Sequence, residues 1–166
     1  MSVWLTESEF RQSGADSVGV RLNLAFFQEI KDEHIELRQL VAQTRNRLSK
    51  PDVKPTQVLD WLSDLRDELE TYFALEEFYG YFNQSAVTNP SVNHAAETLQ
   101  LEHLELFVNL LVLIDSTEQI IYQESNTDLD HVREGFDKFA VKFEEHERAE
   151  MELMMRYCNE EIGVGD

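Results

Sequence analysis

Cysteine is nearly missing from this chain: Cys158 is the only one in 166 residues. No internal disulfide can form, and no Cys-x-x-Cys pair exists to hold zinc or an iron–sulfur cluster. Basic residues are scarce as well. Fourteen Lys and Arg stand against 33 Asp and Glu, a formal net charge of −19, which repels phosphate backbones and anionic lipid and argues against nucleic acid or a membrane surface as partner. No apolar run reaches the roughly 18 residues of a membrane-spanning helix, and the start Met1-Ser2-Val3-Trp4-Leu5-Thr6-Glu7 is neither basic nor a long apolar stretch. Strand-like alternation, low-complexity tracts and repeats longer than the helical period are absent. These features lead to the expectation of a soluble, unexported, cytoplasmic protein. With 42% hydrophobic residues the chain can bury one ordinary core, so a single domain is expected.

What is there is helical spacing. Residues 1–20 read as an N-terminal arm with scattered apolar anchors (Trp4, Leu5, Phe10). Residues 21–160 read as four helices, and 161–166 as a C-terminal tail. The first seam is Phe27, Ile30, His34, Leu37, Val41, Thr44 and Leu48. Lys50-Pro51 through Lys54-Pro55 breaks it, and Thr56 is the expected cap of the next helix. The second seam runs Val58, Leu62, Leu65, Leu69, Tyr72, Glu76, Tyr79. Asn83 to Asn89 is turn-rich, with Asn89 as cap and Pro90 in the first turn of a third helix. That helix has the seam Val92, Ala96, Leu99, His103, Leu106, Leu110, Leu113, Thr117, Ile120. After Ser125-Asn126-Thr127-Asp128 the fourth seam reads Val132, Phe136, Phe139, Phe143, His146, Glu150, Leu153, Tyr157. The expected fold is all-α, an up-down-up-down four-helix bundle whose site is built from inward side chains.

Five polar residues of these seams have metal-ligand chemistry. His146 and Glu150 stand four apart on one helix face, within common reach of one ion. Rise along each helix puts His34, His103 and His146/Glu150 about 18 Å, and Tyr72/Glu76 about 12 Å, above the same end of an antiparallel bundle. That is one layer within the uncertainty of helix ends. A lone seam histidine is more often a core residue with one hydrogen-bond partner than a ligand. Two seam carboxylates with no Lys or Arg on the seams are another matter, because a buried unpaired carboxylate is expensive. Either a cation neutralises Glu76 and Glu150, or they are protonated or paired with histidinium.

The order of these residues resembles the hemerythrin-like domains, the His-His-Glu cation-binding bundles, over about Leu22 to Tyr157. That family carries a histidine on the first helix, His-x-x-x-Glu on the second, a histidine on the third and His-x-x-x-Glu on the fourth. The corresponding residues are His34, Tyr72-Phe73-Ala74-Leu75-Glu76, Glu102-His103 and His146-Glu147-Arg148-Ala149-Glu150. The resemblance implies that His34, His103, His146, Glu76 and Glu150 bind two iron ions bridged by the glutamates. It also implies binding or sensing of oxygen, peroxide or another reactive oxygen species, or of iron itself. Tyr72 departs from the pattern, standing where a histidine is expected. Its phenolate is a hard donor to ferric iron; alternatively it hydrogen-bonds nearby and leaves one iron open, or it is a core tyrosine of a decayed site.

Competing chemistries are less well supported. The residues three before His34, His103 and His146 are Lys31, Gln100 and Phe143, so the Glu-x-x-His signature of ferritin-like di-iron bundles is absent. No nucleophile setting for triad hydrolysis is recognisable. His94 and His131 fall off the seams and read as surface residues. Zinc or manganese would suit the same nitrogen and oxygen donors as iron. The rival from another class is a degenerate, metal-free bundle whose acidic surface meets a basic partner.

Overall fold

The computed structural model describes the backbone of residues 24–79, 90–122 and 129–162, and side chains over 35–77, 91, 93–122 and 129–156. Four helices make up these residues: α1 (Leu24–Leu48), α2 (Pro55–Tyr79), α3 (Pro90–Tyr122) and α4 (Asp130–Ile162). Among the described residues there is no strand, and no helix is long and apolar enough to cross a membrane. The expected arm over 1–20 lies outside the described residues. Of the expected tail over 161–166, the first two residues belong to α4, which continues through Ile162, and the others lie outside the described residues.

The helices start and stop for local reasons. At α2 the amides of Gln57 and Val58 donate to the Lys54 carbonyl, at 3.0 and 3.1 Å. Lys54 is therefore the cap and Pro55 fills the first helical position, where its missing N–H costs nothing. The side chain of Gln57 reaches back to accept from the Lys54 amide at 3.2 Å, which is one half of a capping box. Thr56, expected as the cap, is instead the second helical residue. At the far end of α1, Arg133 of α4 donates from Nε to the Leu48 carbonyl (2.8 Å) and from Nη2 to that of Lys50 (3.2 Å). A cation thus satisfies carbonyls that the helix leaves open.

Packing follows the seams. α3 lies along both α2 and α4, and α1 touches α2 and α4 to close the bundle. Every expected seam residue from Leu37 to Leu48, Val58 to Glu76, Leu99 to Thr117 and Val132 to Leu153 is buried. Phe27, Ile30, Tyr79, Val92 and Tyr157 have side chains outside the described residues. The buried stripe is wider than the seam: Phe73, Ile114, Ala140 and Glu147 are also inside, as expected of a helix facing two neighbours. Between α1 and α4, the pairs Arg38 with Glu147, Arg45 with Asp137 and Leu48 with Arg133 step down α4 as they step up α1.

α4 approaches α3 closely at Gly135, where a Cβ would lie 2.5 Å from Leu113 Cδ2. Alanine there gains about 1 kcal/mol in helix propensity, but only by displacing that buried methyl. Gly135→Ala should therefore stabilise a Leu113→Ala background more than the parent. Denaturant unfolding of the four variants should give a coupling of about 1 kcal/mol.

Candidate metal centre

The middle of the bundle is polar. Glu76 of α2, His103 of α3, and His146 with Glu150 of α4 are all at most 2% exposed and meet at one level. They arrive there because each occupies a seam position of its own helix, so the periodicity that buries leucine elsewhere buries a carboxylate or an imidazole here. His103 Nε2 lies 3.3 Å from Glu76 Oε2 and 3.3 Å from Glu150 Oε1. His146 Nε2 lies 3.1 Å from the same Glu150 oxygen. The two imidazole planes are 4.8 Å apart at their centroids and inclined by 69°.

The outer nitrogens face the other way. Nδ1 of His103 is 3.2 Å from Glu77 Oε1, and Nδ1 of His146 is 2.9 Å from Glu102 Oε2. A carboxylate only accepts, so each Nδ1 carries the donated proton and each Nε2 is turned to the interior. Metal-ligating histidines are oriented in this manner, the outer acid setting both tautomer and ring angle. Phe73 lies flat on His103, with centroids 3.9 Å apart and planes 11° apart, and meets His146 edge-on at 5.9 Å. Its ring holds the first imidazole and closes one side to water.

One ligand-capable atom each from His103, His146 and Glu150 lies within 4.8 Å of the others. Adjacent ligands of a cation with bonds of about 2.1 Å are separated by about 3.0–3.4 Å, and the nitrogen–carboxylate separations of 3.1–3.3 Å fall in that range. The donor set fits a divalent cation. Four carboxyl groups (Glu76, Glu150, Glu77, Glu102) face the two imidazoles.

Of the six expected ligands, Glu76, His103, His146 and Glu150 come together. Tyr72, four residues and one helix turn before Glu76, is buried, at 4% exposure. Burial first, then the carboxylates of Glu76, Glu147 and Glu150, push its phenol far above the ordinary value, so it keeps its proton unless a cation is beside it. His34 belongs to α1, three residues before buried Leu37, and its side chain lies outside the described residues. His94 and His131 are exposed, as expected.

Three acids of the site are not singled out by the sequence: Glu77, Glu102 and Glu147. Glu147 is 1% exposed and paired with Arg38 Nε at 2.9 Å. The signal they share is adjacency, since each stands next to a polar seam residue (Glu76, His103 and His146 respectively).

Protonation follows from this geometry. Burial lowers the His103 pKa, but Glu150 and Glu76 outweigh it and raise the ring from 6.5 to about 9. Burial likewise lowers His146, and Glu150 and Glu102 raise it above its ordinary value. Burial raises Glu150, and the two imidazoles bring it down from 4.5 to about 2.

A raised histidine stabilises the fold below its unfolded value and loses that contribution as pH climbs through the folded one. A depressed carboxylate contributes above its unfolded value and loses that on acidification. Chelator-treated protein should therefore be most stable near pH 4.5–6.5 and should lose stability from pH 6.5 to 9. Thermal melts across that range, repeated on His103→Gln, measure it: the fall should flatten in the variant, and a flat parent would contradict the imidazolium–carboxylate pairing.

Compared with family models, with curated proteins and with solved structures, the chain matches none.

Proposed function

We propose that this chain is a metal-binding protein of the hemerythrin-like type, its four helices running up-down-up-down around a non-haem di-iron centre. We propose further that it works in the cytoplasm, binding or sensing dioxygen, a reactive oxygen species such as peroxide, or iron. The observation that carries this reading is the pair of imidazoles whose inner nitrogens share one buried carboxylate while acids hold their outer nitrogens. The descending pairs between α1 and α4 support the topology.

In this reading His103, His146, Glu150 and Glu76 supply donors to a shared cation. His34 and Tyr72, with Glu76 and Glu150, would hold a second ion. Iron bound there would supply a redox-active Lewis acid. The chain's own part is to present Nε2 without its proton, which leaves as the metal arrives, so that binding strengthens with rising pH. Glu77 and Glu102 keep the Nδ1 protons in place meanwhile. Phe73 limits water at the centre. Tyr72 keeps a protonated phenol beside the carboxylates until a cation stabilises its anion. Zinc or manganese would use the same donors.

A second reading has its own support: each imidazole already has carboxylate partners on both nitrogens, so the network could hold a degenerate, metal-free bundle that acts as an interaction module. Metal analysis of natively purified protein separates the two. We expect about two irons per chain, as two-ion bundle sites hold, with metal lost in Glu150→Ala and His146→Ala. Glu77→Gln and Glu102→Gln should weaken affinity by about 10–100-fold. Loss of a visible charge-transfer band in Tyr72→Phe would identify the phenolate as a ligand. Metal-empty protein whose melting is unmoved by ferrous ion would overturn the metal reading.

A further inference from the structure

α3 is apolar on two sides. One side faces the core, while on the other Leu101, Leu104, Val108, Leu111 and Val112 are 66%, 62%, 46%, 39% and 56% exposed. Leu101, Leu104, Val108 and Leu111 step by three, four and three residues, which is the spacing of a helix-pairing seam, and the row through Val112 is about 17 Å long. Exposed apolar residues are ordinarily scattered singly. A continuous row of this length marks a contact surface.

Charge on the same helix indicates what fits there. α3 contains no Lys or Arg from Pro90 to Tyr122. Glu97 precedes the row, Glu105 lies beside it, and Asp115 and Glu118 follow it. Among the described ion pairs, Lys142 is the only lysine or arginine that reaches an α3 acid, 4.0 Å from Glu105. A second copy of the chain is a poor occupant for this face. Antiparallel pairing that sets Leu101 opposite Leu111 sets Glu97 opposite Asp115, and parallel pairing sets each acid against itself. Anionic lipid meets the same repulsion.

We propose that the outer face of α3 docks an amphipathic helix of another protein, with an apolar row at 3-4 spacing and Lys or Arg on its flanks. Apolar burial along the row would supply the attachment, and the acids would select partner and orientation. The surface lies on the opposite side of α3 from His103, so this inference stands independently of the metal centre.

Two synthetic helical peptides of about three heptads test it. Both carry a leucine row; one has lysine flanks and the other glutamate flanks. By fluorescence anisotropy the lysine peptide should bind the full chain, more weakly as salt rises, and the glutamate peptide should not. Leu104→Glu/Val108→Glu should weaken binding at least tenfold, and Leu104→Gln/Val108→Thr, which adds no charge, should weaken it as well. Both substituted positions are solvent-exposed, and an unchanged circular dichroism melt shows that the fold is intact. Nonspecific attraction to an acidic protein predicts the reverse, tighter binding to the glutamate variant, and that result would overturn the proposal. So would absence of binding, equal binding of both peptides, a concentration-dependent dimer abolished by the same substitutions, or their abolishing attachment to phosphatidylcholine vesicles.

Discussion

Two carboxylates with no exposure to water, Glu76 and Glu150, impose the constraint from which the rest of the centre follows. A buried carboxylate is tolerated only beside positive charge or strong donors. Here the inner nitrogens of His103 and His146 stand at 3.1–3.3 Å from them. That need selects the imidazole orientation, and the orientation in turn turns Nδ1 outward to Glu77 and Glu102. A leucine at either glutamate position would pack more cheaply. The chain keeps charge at the level where its helices are otherwise sealed by leucine and phenylalanine.

The acids beside the seam are arranged in sequence around the bundle. Glu77, next to Glu76 on α2, holds His103 of α3. Glu102, next to His103 on α3, holds His146 of α4. Glu147, next to His146 on α4, holds Arg38 of α1. Each helix thus orients a polar side chain of the next, and rotation of any one would disturb the following contact. Phe73 adds a rigid wall by stacking on His103. Such mutual bracing holds several side chains of one layer in fixed positions, as a site that binds an ion requires.

α3 makes the division between inside and outside unusually plain. One face carries His103 among leucines toward the centre, and the opposite face carries an exposed leucine and valine row among acids. The first face is explained by the bundle. The second is not, and its regular spacing together with the absence of basic residues gives it the character of a surface that awaits a complementary helix.

The sequence by itself determined the four helices, their breaks at two proline-bearing stretches and at Ser125-Asn126-Thr127-Asp128, and the polar seam residues, because burial of one stripe per helix requires apolar side chains at a 3-4 period and any exception to it is visible. It also carried the second row of α3, although periodicity alone does not say which of two apolar faces the bundle covers. Only the tertiary structure decided which acids among so many orient His103 and His146, that Glu147 is buried against Arg38, and that Lys54 rather than Thr56 caps α2. The cap is decided by local hydrogen bonds between Lys54 and Gln57, whereas the first two outcomes depend on the rotation and height of one helix against another. Such relations are set by packing between residues far apart in the chain, as at Leu113 and Gly135, and leave no mark in the local pattern.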